Sequence, residues 1–144
     1  MGTTLQITRY HQFLNHTCGV VASEVLLATL GYPVPRDLKK QLGTTWYGTH
    51  VEDILRVLNR LGLRYRCIGQ SIPKLKRALD TCCPVLVSYE PGKWGHVAVI
   101  YGFDDEGVHI WNHRWFREGH LSFDDLAEML AWSEDGCMFM FWGT

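Results

Sequence analysis

Residues 17–32, TCGVVASEVLLATLGY, form the most informative segment of the chain. Apolar side chains recur in it at the spacing of a helix, at Val21, Val25, Leu26 and Leu30. Gly31 stands where such a helix ends, because glycine readily adopts the left-handed conformation after the last turn. The pattern therefore predicts a mostly buried helix whose first turn contains Cys18. A cysteine in that place is either a small buried side chain or a nucleophile activated by the helix N-terminus, and the rest of the chain must decide.

Further helices are predicted from caps and periodicity on both sides of the chain's centre. Thr49 and Glu52 have the spacing of a capping box, and Ser71 is predicted to cap the helix that contains Pro73. Ser122 with Asp125 forms a second candidate capping box. The predicted helices are PRDLKKQL at 35–42, HVEDILRVLNRLG at 50–62, IPKLKRALD at 72–80 and FDDLAEMLAW at 123–132.

The periodicity changes from helical to extended after residue 83. Runs rich in β-branched and aromatic residues, separated by Gly-containing turns, predict neighbouring antiparallel strands. These runs are PVLVSYE at 84–90, HVAVIYGF at 96–103, GVHIWNH at 107–113 and CMFMFWG at 137–143. Since the helices come first and the sheet follows, we predict an α+β fold in a single domain, residues 1–144.

Composition excludes several classes of function. The chain has 144 residues with 14 basic and 15 acidic side chains, so it lacks the positive charge of a nucleic-acid-binding protein. It has neither an 18-residue apolar run nor a classical export signal, which predicts no membrane insertion. Five cysteines cannot all pair, which favours a reducing compartment. We therefore expect a cytoplasmic protein, or one exported by a signal-independent secretion system.

A catalytic cysteine needs a base, a group that orients the base, and donors for the oxyanion. His96 begins a predicted strand directly after a turn, where its imidazole can face a cleft. Asn112 ends the next strand, sixteen residues later, and the hairpin returns it beside His96. His113 is the alternative orienting residue, but alternation places it on the opposite face, so we favour Asn112. Gln12, six residues before Cys18, is a suitable oxyanion donor.

Together these residues resemble the papain-like cysteine peptidase superfamily, and within it the bacteriocin-processing, double-glycine leader peptidases and their stand-alone relatives. The resemblance implies a papain-like fold in which an N-terminal helical part, with the nucleophile helix, packs on a C-terminal antiparallel sheet. It also implies hydrolysis of a peptide bond through a thioester, without a cofactor. In this scheme Cys18 is the nucleophile, His96 the base, Asn112 the orienting group and Gln12 the oxyanion donor. The chain departs from leader peptidases at Asn112-His113, where they usually carry Asp-Pro.

The substrate is expected to be a peptide or protein, and we predict that it contacts His16, Gly19, Trp94 and Gly95. A precursor peptide and an immunity protein are candidate partners. Two other functions use the same fold. One is glutamine deamidation or acyl transfer by an effector toxin, and the other is non-catalytic binding of a leader peptide. No metal site is predicted, because the remaining cysteines show no C-x-x-C spacing and are expected to be core thiols: Cys67, Cys82, Cys83 and Cys137.

Overall fold

The helix predicted from the opening segment is present and is mostly buried. The computed structural model describes residues 2–7, 18–45, 48–89, 96–111, 118–131 and 136–144. Within these ranges the elements follow one another in a fixed order. They are β1 (Thr3–Thr4), α1 (Cys18–Thr29), α2 (Leu38–Gln41), α3 (Val51–Arg60), β2 (Leu63–Gly69), α4 (Ile72–Asp80), β3 (Val85–Tyr89), β4 (His96–Phe103), β5 (Gly107–Trp111), β6 (Glu118–Ser122), α5 (Phe123–Ala131) and β7 (Cys137–Gly143).

All strands join one antiparallel sheet with the order β2-β7-β3-β4-β5-β6, and β1 pairs with β4. The predicted α+β class and the antiparallel hairpin from β4 to β5 are confirmed. Three strands, β1, β2 and β6, were not predicted. Because β2 lies between α3 and α4, the helices and strands are more interleaved along the chain than the sequence pattern suggests.

The sheet separates two apolar cores. Alternate residues of β4 enter each one, with Val97 and Val99 packed in the core that contains α1 and α3. Ala98 and Ile100 lie in the other core, with α4 and α5. Burial on both faces explains why β4 is a continuous apolar run in the sequence, without the alternation of a half-exposed strand.

The predicted helix caps have different outcomes. Ser71 and Ser122 act as N-caps, since their Oγ atoms accept hydrogen bonds from the backbone N–H groups of Lys74 (3.3 Å) and Asp125 (3.1 Å). The capping box at Thr49 is wrong. His50 is the N-cap of α3 and makes no side-chain capping bond, while the Thr49 hydroxyl lies 2.6 Å from that of Thr44.

The expectation of four core thiols is also wrong. Only Cys83 is buried, whereas Cys67 and Cys82 are exposed and Cys137 is intermediate. The adjacent cysteines lie in the turn after α4 and not on a strand, and Cys82 adopts a positive φ of 64°. In the described parts of the chain no helix has the length and apolar character needed to cross a membrane.

Candidate active site

Cys18 is the first residue of α1, and its side chain is 6% exposed. At this position the backbone N–H groups of the first helical turn have no partner within the helix, and the helix dipole favours a negative charge. The sequence predicted this placement, and the structure confirms it. The location is suited to a thiolate and to an oxyanion forming next to it.

Gly19 fixes the first turn of α1 against the start of α3. A Cβ atom at Gly19 would lie 2.8 Å from the Cβ of Thr49 and 3.2 Å from the Cδ1 of Ile54. Only a residue without a side chain therefore allows α1 to approach this closely. The Ser23 hydroxyl, which is buried, donates to the Gly19 carbonyl over 2.7 Å. The residue beside the nucleophile is thus held by packing, and the substrate contact predicted for Gly19 stays a prediction.

Gly19→Ala is expected to destabilise the fold by about 1–2 kcal/mol, because overpacking a filled core costs more than alanine's helix propensity returns. Urea unfolding of the variant and the wild type measures the difference. Ala28→Gly is the matched control, since it changes helix propensity in α1 at a partly exposed position. If Gly19→Ala instead stabilised the protein by as much as Ala28→Gly destabilised it, the steric account would be wrong.

His96 is the first residue of β4 and is half-buried. It pairs in register with Tyr89, the last residue of β3, and the two rings meet edge to face with centroids 5.4 Å apart. Tyr89 is itself only 3% exposed, so the tyrosine forms a fixed wall for the imidazole. Sequence reasoning did not single out Tyr89. The signal was present, because a hairpin joining the two predicted strands places the end of one opposite the start of the other.

One core connects the three chain segments that were expected to form the site. α1 packs on β4, and Cys18, Val97 and Trp111 are all buried in this core. Trp111 ends β5 opposite Val99, three residues into β4 from His96. The structure therefore brings the nucleophile helix together with the two strands of the predicted histidine hairpin.

The other predicted site residues lie outside the described residues. These are Gln12, His16, Trp94, Gly95, Asn112 and His113. Among the residues that are described, no group of three or more His, Cys, Asp or Glu side chains is arranged to hold a metal ion.

Comparison with known proteins identifies the family. A model described as the Peptidase_C39 like family matches residues 4–123, which is most of the chain and contains both Cys18 and His96. The chain belongs to the Peptidase_C39-like family. No curated protein matches the chain significantly.

Solved structures agree with this family in fold. A double-glycine motif protease from an AMS/PCAT transporter, solved with its leader peptide, is 17% identical with a TM-score of 0.76 and covers 99% of this chain and 95% of its own. The peptidase domain of Streptococcus ComA, a bifunctional ABC transporter involved in quorum sensing, is 18% identical with a TM-score of 0.74, covering 99% and 98%. A C39-like peptidase from Bacillus anthracis is 13% identical with a TM-score of 0.77, covering 97% of both chains. The predicted papain-like α+β fold and the resemblance to double-glycine leader peptidases are thereby confirmed.

Proposed function

We propose that this member of the Peptidase_C39-like family is an active cysteine peptidase with a triad of Cys18, His96 and Asn112. One observation carries the proposal. Cys18 is the first residue of α1, and α1 packs against the strand that His96 begins. A cysteine at a helix N-terminus and a histidine at the start of the strand beneath that helix are the parts that acyl transfer needs from distant points of the sequence.

The reaction follows from the chemistry of these groups. The Cys18 sulfur, having given its proton to His96, attacks the carbonyl carbon of a peptide bond. The Cys18 N–H and the Gln12 amide stabilise the negative oxygen that forms. His96 then protonates the leaving amine, and a thioester remains on Cys18. Water, deprotonated by His96, hydrolyses the thioester and restores the thiol.

The imidazole of His96 must keep one orientation through these proton transfers. Tyr89 supports one side of the ring, as the edge-to-face contact shows. We assign the hydrogen bond to the other ring nitrogen to Asn112, whose amide oxygen can accept it. His113, its neighbour in the sequence, is the alternative orienting group. Placement of the asparagine directly after Trp111 favours Asn112, because Trp111 ends the strand next to β4.

The proposed substrate is a peptide that binds in an extended conformation and is cut after small residues. This assignment is supported by the structural relative that was solved with a leader peptide and is described as a double-glycine motif protease. A peptide aldehyde ending in Gly-Gly is therefore the first probe of the site. The nucleophile would add to its carbonyl and form a stable hemithioacetal without a leaving group.

The experiment that tests the nucleophile is mapping of iodoacetamide labelling. We expect Cys18 to react at about pH 6 faster than Cys82, although Cys18 is buried and Cys82 is exposed, because only a thiolate is nucleophilic. His96→Ala should remove this advantage, since the imidazolium that stabilises the thiolate is lost. Mass spectrometry of the labelled peptides gives the rate at each site. Labelling that follows exposure alone, with Cys82 ahead of Cys18, would contradict the assignment.

A further inference from the structure

A second pocket lies on the α4 side of the sheet, away from the core that contains Cys18. It is bounded by β2, α4 and β7 and has a volume of about 290 Å³. That volume is close to the lower end of the range for small-molecule sites. Cys67 lines the pocket, and Ala78 and Met140 supply part of its apolar wall. Nothing in the proposed peptidase mechanism uses this pocket.

The rim of the pocket is positively charged. Arg66 on β2 and Lys74 and Arg77 on α4 contribute to the lining, which contains no Asp or Glu among the residues that the structure describes. All three are exposed. In the described ranges their side chains take part in no hydrogen bond or ion pair. Three cations without a counter-charge around one cavity favour a negatively charged ligand.

The pocket also contains one member of a thiol pair. The Sγ atoms of Cys67 and Cys137 are 2.8 Å apart across β2 and β7. The register explains the contact. Cys67 pairs with Phe139, and a register shift follows between Cys67 and Gly69, so the residue two positions before Phe139 comes close to Cys67. The pair needs no movement of the backbone to bring its sulfur atoms together.

The two thiols differ in their surroundings. Cys67 is exposed, whereas Cys137 is partly buried and its S–H also lies near the Met138 carbonyl, at 3.7 Å. Burial, followed by the hydrogen bond and charge of Cys67, raises the pKa of the Cys137 thiol to about 11. Cys137 therefore keeps its proton and donates it towards the sulfur of Cys67. The exposed Cys67 is the sulfur that reacts first, and Cys137 is positioned as the resolving thiol.

We propose that Cys67 and Cys137 form a thiol–disulfide exchange site for small, negatively charged disulfides, which Arg66, Lys74 and Arg77 attract. The Cys67 thiolate attacks the small disulfide, so that a mixed disulfide forms and one small thiolate leaves. Cys137 then loses its proton and attacks the sulfur of Cys67, which releases the second small thiolate and closes a Cys67–Cys137 disulfide. Two protein thiols are oxidised, and one disulfide is reduced to two thiols that take up the two protons.

Oxidised glutathione, which carries carboxylates, is the probe. The test uses the full chain with Cys18→Ser, so that the proposed nucleophile cannot take part. We expect mass spectrometry of the unreduced digest to find peptides joined through Cys67 and Cys137, while Cys82, exposed but without a resolving thiol, carries a mixed disulfide with glutathione. With Cys137→Ser, Cys67 should instead accumulate as the mixed disulfide. Failure of the Cys67–Cys137 link to form, or formation no faster than modification of Cys82, would overturn the exchange site.

The role of the cations is tested separately with charge variants. Lys74→Gln combined with Arg77→Gln is expected to slow disulfide closure by oxidised glutathione about tenfold at low salt, because electrostatic attraction of the anion is lost. Closure by cystamine, a positively charged disulfide, should not slow. Lys39→Gln combined with Lys40→Gln is the matched control, since it removes two exposed cations from α2, away from the pocket. Equal slowing with both reagents, or with both double variants, would overturn the proposed selectivity for anions.

Discussion

Cys18→Ala is expected to lower kcat for peptide hydrolysis by about 10⁶, because loss of the nucleophile removes the covalent route altogether. The measurement is turnover of a fluorogenic peptide with Gly-Gly before the cleaved bond, together with adduct formation by the Gly-Gly aldehyde. The variant should form no adduct. Its fold should persist, since Cys18 and alanine are both small and the helix start is retained.

Cys83→Ala is the matched control for this prediction. Cys83 has the same 6% exposure as Cys18, but it lies in the turn after α4 and packs in the other core. Both substitutions remove one buried sulfur atom, so we expect similar small losses of stability and loss of activity only at Cys18. A Cys18→Ala protein that still cleaves the peptide, or a Cys83→Ala protein that is equally inactive while folded, would refute the nucleophile assignment.

Gln12→Ala is expected to reduce kcat by about 10²–10³, equivalent to about 2.7–4 kcal/mol, with KM little altered. The reason is that the amide donates to a charge that exists only in the transition state. Steady-state kinetics with the same peptide provides both constants. Gln6→Ala is the control, because Gln6 is an exposed glutamine in the same N-terminal part of the chain and should leave both constants unchanged.

The Gln12 experiment also separates a peptidase from a domain that only binds a leader peptide. A binding domain would show tight association with the peptide and no adduct with the aldehyde. In that case Gln12→Ala would change only the affinity, and the hydrolase proposal would have to be abandoned. Release of ammonia from a glutamine-containing protein without chain cleavage would instead favour the deamidase alternative.

The elements with strong local signals could be predicted from the sequence. α1 and β4 are buried on nearly every side, so their apolar runs mark them clearly. β2 could not be predicted in this way, because it is an edge strand with exposed residues from Arg64 to Cys67. β6 likewise has exposed or half-buried residues throughout, with no apolar alternation. What determines these two strands is pairing with a neighbour that lies elsewhere in the chain.

The same distinction applies to the caps and the sites. Thr49 has the sequence of an N-cap, yet a hydrogen bond to Thr44 and the packing of Gly19 assign it another role. The positions of Cys18 and His96 could be predicted because each stands at the start of a clearly marked element. The contact between Cys67 and Cys137 joins residues 70 positions apart, and no local pattern reports it.

The place of β7 in the sheet has a consequence for how the chain folds. β7 lies between β2 and β3, although it comes after every other element in the order of the chain. Until residues 137–143 have been synthesised, β2 has no strand beside it and β3 presents one apolar edge without backbone partners. α1, β4 and β5 can be complete on a ribosome-bound chain, but the sheet beneath them is still open. Assembly of the fold is therefore governed by its slowest and most distant pairings, those that β7 makes with β2 and β3.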